Sequence, residues 1–510
     1  MGKKNKNKKK GKGAEKTAMK TDKKLAAKQK KMLKKLEETD IVEVIGRLEE
    51  EEARIKILSE EICATPPTPR SNFTLVAHPE KEELILFGGE FYNGQRVCVY
   101  NDLFFYNINK NEWKQIRSPP GPAPRSGHQM VAVATNCGQL WLFGGEYASP
   151  SQLQFYHYKD LWMMSLKTRK WEKITTSNGP SARSGHRMIV FKKKLFVFGG
   201  FYDNNQSYNY FNDVHIFSLE SYTWLQIHIE GPVIPSPRSG CCMASTPDGN
   251  ILVWGGYSKA KIKKDVDRGI THTDMYFLIP NKSEQDSTKY KWIAAKSNGY
   301  KPLPLSGVSC TSAPNAMVYS FGGVMDVDEN EEDLHGQFGD DLLGLDLNSL
   351  TCHLIDIFKK KKIPSKHPNM CLHETLPKAV NATSATTTDG TFTVRVAGPG
   401  VSASTSLEMP SFFPNYKSDS LPSPRMNAGL CVCKGVLYVY GGLFEEDSKQ
   451  YTFNDLYALN LHKPIEWKAI IPNNMNVHDW VDSESSDSDG EDDGEDSGEE
   501  TKSESEMETE

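Results

Sequence analysis

The feature that most constrains this chain is a pair of adjacent glycines closing an apolar run, and it occurs six times. The runs read LILFGG (Gly88, Gly89), LWLFGG (Gly144, Gly145), LFVFGG (Gly199, Gly200), ILVWGG (Gly255, Gly256), VYSFGG (Gly322, Gly323) and LYVYGG (Gly441, Gly442). Their first glycines are spaced by 56, 55, 56, 67 and 119 residues. Three near-equal steps followed by two longer ones describe one unit repeated six times, with insertions late in the chain. A length of 510 residues would ordinarily suggest about three domains. Repeats of this period instead stack on one another, so one ring of units can use most of the chain.

Each diglycine has companions at fixed offsets. Some 16 to 19 residues before it stands Pro-Arg-Ser or a relative, giving Arg70, Arg125, Arg183, Arg238 and Arg425; the fifth unit has Pro304-Leu305-Ser306 instead. After it comes an aromatic-polar-Asp-aliphatic block: Tyr100 to Leu103, Tyr158 to Leu161, Phe211 to Val214 and Phe453 to Leu456. Looser versions are His272 to Met275 and Gly339 to Leu342. Trp113, Trp171 and Trp224 follow the Asp by 11 residues, Trp292 and Trp467 serve units four and six, and unit five has Cys352 there.

These patterns predict four short strands per unit. In unit two, residues 126–134 and 140–145 are β-rich and separated by a turn-like Thr-Asn-Cys-Gly, and 160–166 and 170–174 flank a second turn. A diglycine ending a buried strand suits a backbone that turns sharply or packs where a Cβ would clash. The tryptophan supplies large apolar area between sheets. A lone four-stranded sheet cannot bury both faces, so such units close around an axis.

A diglycine with a spaced aromatic and tryptophan in register resembles the kelch repeat family, over residues 69–471 and all six units. The resemblance implies an all-β fold, a six-bladed kelch β-propeller, acting in protein binding. The layout of the whole chain is also similar to a narrower group in that family. It shares the basic start Met1 to Ala18, the Trp254 to Lys259 segment of unit four, a lysine-rich insertion and an acidic tail.

The net charge of −5 conceals a polarised chain. Residues 1–36 carry 16 lysines and a net +14, while residues 479–510 carry 16 acidic residues and a net −15. The expected organisation is a basic disordered tail at 1–36, a probable helical linker at 37–68, the propeller at 69–471 and an acidic disordered tail at 472–510. A disordered insertion at about 358–420 leaves the propeller between units five and six. A broken apolar stripe over 23–61 predicts the helix, interrupted at Gly46. The lysine run lacks interleaved aromatics, so it reads as a nuclear-import signal or a nonspecific attraction to RNA phosphates. In the acidic tail Ser486, Ser488 and Ser497 stand three residues before an acid and read as candidate phosphosites.

No apolar stretch approaches the roughly 18 residues of a membrane span, and no apolar region follows the lysines as in a secretory signal. The chain is expected in the cytoplasm, the nucleus or both, not secreted, with no membrane contact and as a monomer. Ten cysteines show no CxxC pair and no nearby paired histidines, so reduced thiols are expected and no metal or other cofactor.

The order of strands places the residues before the first strand and after the second on one face. That puts Arg70, Arg125, Arg183, Arg238 and Arg425 around the channel mouth, beside Phe91, Tyr92, Tyr147, Phe201, Tyr202, Tyr257 and Phe444. Guanidinium forks suit carboxylates and peptide carbonyls, and aromatics give flat contact area. In kelch propellers that bind peptides, arginines and serines at this rim take the peptide, which is what the resemblance implies here. The competing reading is that the arginines staple neighbouring blades. His128 and His186 read as repeat usage rather than catalytic bases, and no GxSxG, P-loop or HExxH is present. The expectation is a non-enzymatic scaffold taking a protein or peptide on the rim. The alternatives are a ubiquitin-ligase substrate receptor and an RNA- or ribosome-associated factor acting through the tails. A galactose-oxidase-like copper chemistry lacks the tyrosine and histidine cluster it needs.

Overall fold

The computed structural model describes Leu33 and residues 38–473, apart from 205–207, 264–265, 282–287, 331–332, 358–420 and 447–448. The two tails, the long insertion, and the candidate phosphosites Ser486, Ser488 and Ser497 lie outside the described residues. The chain is a six-bladed β-propeller, and the four core strands of each blade pair antiparallel in sequence order, with a short parallel strand added outside blade 4 (His228–Glu230) and blade 5 (Asn298–Gly299). Blade 2 shows the plan: Gln129–Val133 innermost, then Gln139–Phe143, Leu161–Ser165 and Lys170–Ile174. The second strand is buried along its whole length because sheets cover both its faces, which explains its unbroken apolar run.

Between the second and third strands of each blade the chain rises into a hairpin. In blade 2 this hairpin pairs Glu146–Ala148 with Phe155–His157, and in blade 3 Phe201–Asp203 with Tyr208–Tyr210. In blade 6 it continues the strands themselves, Val436–Glu446 and Lys449–Asn460. A single backbone bridge in every blade fixes the first hairpin residue against the residue after the arginine, or after Leu305 in blade 5, as in Ser126 with Glu146 and Ser306 with Val324. The connections to the first strands and all six hairpins therefore share one face. Short turns occupy the other.

The seams between blades repeat one packing. The aromatic ending the second strand of one blade meets the tryptophan of the next: Phe87 with Trp171 at 5.6 Å, Phe143 with Trp224 at 5.8 Å, and Phe198 with Trp292 at 5.3 Å between ring centres. The same contact closes the ring, Tyr440 of blade 6 lying 5.4 Å from Trp113 of blade 1. At the seam of blades 4 and 5 the sizes are exchanged, with Trp254 on the strand end and Cys352 at the tryptophan position. That exchange is how unit five does without its tryptophan.

The segment before the ring departs from the expected helical linker. The helix spans Ile41–Arg54, capped by Asp40, whose carboxylate accepts from the Val42 amide at 2.9 Å. It continues through Gly46 rather than breaking there. Ile45 is its buried residue, packed on Ala123 and Tyr158 of the propeller. Residues Ser59–Ile62 are a strand, not helix, and add a fifth strand to the outer edge of blade 1. Pairing with the open edge of Glu112–Arg117 outweighs their local preference.

Candidate functional site

The repeated arginines are fully buried, and this corrects their expected role as contact residues. Arg125 donates from Nη1 to the Gly144 carbonyl at 3.0 Å and to Asp160 at 2.7 Å, and from Nη2 to Asp160 at 3.1 Å. Its Nε donates to the Ala123 carbonyl, and the guanidinium lies over the Tyr158 ring, 3.9 Å from its centre. Arg183 grips Asp213 and the Gly199 carbonyl, Arg238 grips Asp274 and the Gly255 carbonyl, and Arg425 grips Asp455 and the Gly441 carbonyl. Arg70 grips Gly88 and, more loosely at 3.3 Å, Asp102. All five side chains have 0% exposure. A fully buried guanidinium whose donors are engaged inside its own blade is not available to a partner.

This clamp explains the aromatic-polar-Asp block. The aspartate takes the fork and the aromatic covers its face, both supplied by the same blade. The arginine ties its own blade with its side chain and the preceding blade with its backbone. The second glycine of five of the six pairs donates to the arginine carbonyl of the next blade: Gly89 to Arg125, Gly145 to Arg183, Gly200 to Arg238, Gly323 to Arg425, and Gly442 to Arg70 across the closure. At Gly89 the close approach is only open to glycine, since its φ is +98° and a Cβ would stand 2.7 Å from that of Phe73.

The mouth of the channel is left to other residues. A second ring of amide bonds runs round the axis, Gly127 to Asn72, Gly185 to Gly127, Gly240 to Gly185, Asn427 to Gly307 and Asn72 to Asn427. Beneath it the first strands enclose a channel of about 470 Å³. Two carboxylates stand beside the ring, Glu90 and Glu146, each immediately after a diglycine. Glu90 accepts from Asn72 Nδ2 at 2.6 Å and from Ser126 Oγ at 2.9 Å. Burial, then the charges of Glu90 and Asp203, push the Glu146 carboxyl up to about 8. His157 Nε2 is 3.5 Å from Glu146, yet burial holds His157 down to about 4, so near neutral pH the two are not an ion pair.

The hairpin aromatics divide between support and display. Tyr202 and Phe201 pack on His157 of the neighbouring hairpin, at 4.8 and 5.6 Å, and Phe444 packs on Phe338 at 5.0 Å. Tyr147 is drawn under the helix beside Ile45. Phe91, Tyr92, Tyr202 and Tyr257 are half-buried on the hairpin face. Glu90 and Glu146 stand beside these aromatics on the hairpin face, two carboxyls that the sequence reading passed over. The signal was present as a Glu directly after the first two diglycines.

His128 and His186 sit in seams. His128 Nε2 lies 3.0 Å from Thr74 Oγ1, and burial holds the ring down to about 3. His186 is likewise held neutral by burial and the charges of Arg183 and Arg187. Among the described residues no cluster of His, Cys, Asp and Glu is arranged to hold a metal ion, and no helix is long and apolar enough to cross a membrane.

A family model described as "FBX42, beta-propeller domain" matches residues 70–275. Over 189 residues the chain is 31% identical to Adagio-like protein 3 of Oryza sativa subsp. japonica, covering 34% of this chain and 27% of that protein. It is 28% identical over 230 residues to the Leucine-zipper-like transcriptional regulator 1 homolog of Drosophila melanogaster, covering 43% and 21%. The chain thus spans about a quarter and a fifth of the length of these two relatives. An N-(sulfonatooxy)prop-2-enimidothioate sulfolyase of Thlaspi arvense is 23% identical over 300 residues, covering 56% of this chain and 78% of that protein. A solved chain titled "Structure of YjhT" aligns with 80% of this chain and 99% of its own length, at a TM-score of 0.47 and 13% identity.

Proposed function

We propose that the protein is a non-enzymatic interaction scaffold that takes a protein or peptide partner on the hairpin face of its propeller. The observation that carries this reading is the division of labour just described. Buried arginine clamps brace five of the six blades, and the hairpins hold half-exposed aromatics around a channel mouth edged by Glu90 and Glu146. Rigid aromatics on a preorganised ring lose little entropy on binding. With the arginines spent inside the blades and both mouth carboxyls raised by burial, the mouth carries little charge of either sign and offers an acidic segment no cation to pair with. The match to a propeller model and to one protein named as a transcriptional regulator agrees with an adaptor role. The basic start, the Trp254 to Lys259 segment and the acidic tail are similar to those of kelch domain-containing protein 4, and we propose that closeness on those residues alone.

The test is proximity labelling with affinity purification on three forms of the full chain. One is unaltered, one carries Tyr92→Ala, Tyr202→Ala and Tyr257→Ala, and one lacks 1–36 and 479–510. If the hairpin variant melts normally but loses specific partners, the face is the binding surface. Each aromatic at a binding centre is worth about 2 kcal/mol, or roughly 30-fold in Kd. Partners that survive the hairpin changes and vanish only with the tails would overturn the reading. Cullins among the hairpin-dependent partners would point to a ubiquitin-ligase receptor.

A further inference from the structure

The inner strands of neighbouring blades are tied by one repeated position, three residues after the one that forms the hairpin bridge. Thr74 lies 3.0 Å from His128 across blades 1 and 2, and Gln129 accepts from the Met188 amide across blades 2 and 3. Arg187 donates to the Cys241 carbonyl across blades 3 and 4, and Ser309 donates to the Ala428 carbonyl at 2.7 Å across blades 5 and 6. Between blades 6 and 1 the position is Gly429, packed so closely that a Cβ would meet Phe73 at 2.5 Å. Between blades 4 and 5 it is Cys242, whose strand Cys242–Ser245 packs against Ser309–Ser312 of the next blade, and the side chain it meets there is another thiol, Cys310.

This is also the seam with the fewest other ties. Leu305 replaces the arginine, and the bond from Gly256 to its carbonyl, formed at each of the other five seams, is not made. The amide ring around the axis lacks its link from Gly307 to Gly240. A Cβ built on Gly240 would meet nothing within 4 Å, whereas one on Gly185 would meet Phe201 at 3.1 Å. Cys310 also lines the central channel, which opens it to small solutes. The Cys242 thiol, with Arg187 adding its charge against the cost of burial, lowers the Cys310 thiol below its ordinary value. A thiolate there is the nucleophile that oxidation needs.

We propose that Cys242 and Cys310 form a reversible disulfide that locks the seam between blades 4 and 5. With hydrogen peroxide as oxidant, the Cys310 thiolate attacks one peroxide oxygen and the O–O bond breaks, giving a sulfenic acid and hydroxide. The hydroxide takes up the proton released when Cys310 ionised. The Cys242 sulfur then attacks the sulfenic sulfur, the S–O bond breaks, and water leaves carrying the Cys242 proton. Two thiols lose two electrons in all, and one peroxide becomes two waters. A thiol reductant restores the pair by exchange.

The experiment treats the reduced full-length protein with graded peroxide and sequences the unreduced proteolytic fragments by mass spectrometry. The exposed Cys98 and Cys137 report how far surface thiols have been oxidised. The expected product joins Cys242 to Cys310. It raises the melting midpoint by about 3–6 °C, and dithiothreitol reverses the rise. Cys242→Ser and Cys310→Ser each abolish the shift, and Cys241→Ser keeps it. Cys241 in the cross-link, or no cross-link at a dose that oxidises Cys98, would overturn the proposal. Should a serine variant fail to fold, the fragment map and the reversible shift of the unaltered protein still decide.

Discussion

Arg425 and Asp455 are both fully buried, while Arg238 is buried against an Asp274 that is 40% exposed. Removing one partner of a wholly buried pair strands the other charge and costs about 3–5 kcal/mol. When the survivor reaches water the cost falls towards about 1 kcal/mol. Arg425→Ala should therefore lower the urea midpoint far more than Arg238→Ala. Equal losses would mean that the clamp acts through packing rather than charge. The same pairs set the acid limit of the fold. Burial opposes ionisation of Asp160, Asp213 and Asp274, and their arginines more than offset it, holding all three below the usual carboxylate range. Their stabilisation is present above about pH 4 and is lost as pH falls through the lower folded values. Glu146 works in the opposite sense. Its carboxyl is raised to about 8, so the folded state holds a proton that the unfolded chain releases, and stability declines as pH rises from about 4.5 to 8. Glu146→Gln should raise the melting midpoint at pH 8 and leave it unchanged at pH 4. The arginine and aspartate were both visible in the repeat, but whether the arginine faced solvent or its own blade was not. A pattern gives spacing, and burial depends on what the next blade places on top.

At the level of the element, two glycines behave oppositely. Gly89 combines a φ of +98° with no room for a Cβ, so Gly89→Ala should abolish the cooperative melt. Gly46 sits in mid-helix with nothing within 4 Å of a built Cβ, so Gly46→Ala should stabilise the helix by about 0.5–1 kcal/mol. Proteolysis between Ile41 and Arg54 would report the gain as slower cutting. Blade strands were legible because six copies averaged out local ambiguity. The segment Ser59–Ile62 had no copies to average, and its strand conformation comes from a distant edge in blade 1. Its own residues carry no trace of that partner.

For the molecule as a whole, the ring is as firm as its weakest seam. Without the disulfide, the amides of Gly256 and Gly307 should exchange with deuterium faster than those of Gly89, Gly145, Gly200, Gly323 and Gly442, whose acceptors lie in adjacent blades. Uniform protection would show that the missing bonds matter little to ring opening. Blade number and closure followed from the diglycine count. The weak seam showed in the sequence only as Leu305 and Cys352, and the compensating Trp254 could not be matched to it before the packing was known.

One feature of the architecture bears on how the protein can be handled. The fourth core strand of each blade runs toward the hairpin face, so Ile357, Leu421 and Ile471 lie on that side. The helix also joins there, Ile41 donating to Gln154 of the second hairpin. The turns at Lys192 and Lys193 and at Asn136 project from the far side. A fluorophore, a bead or a grid surface attached through those turns would leave the hairpins facing outward, like a plate glued by its back.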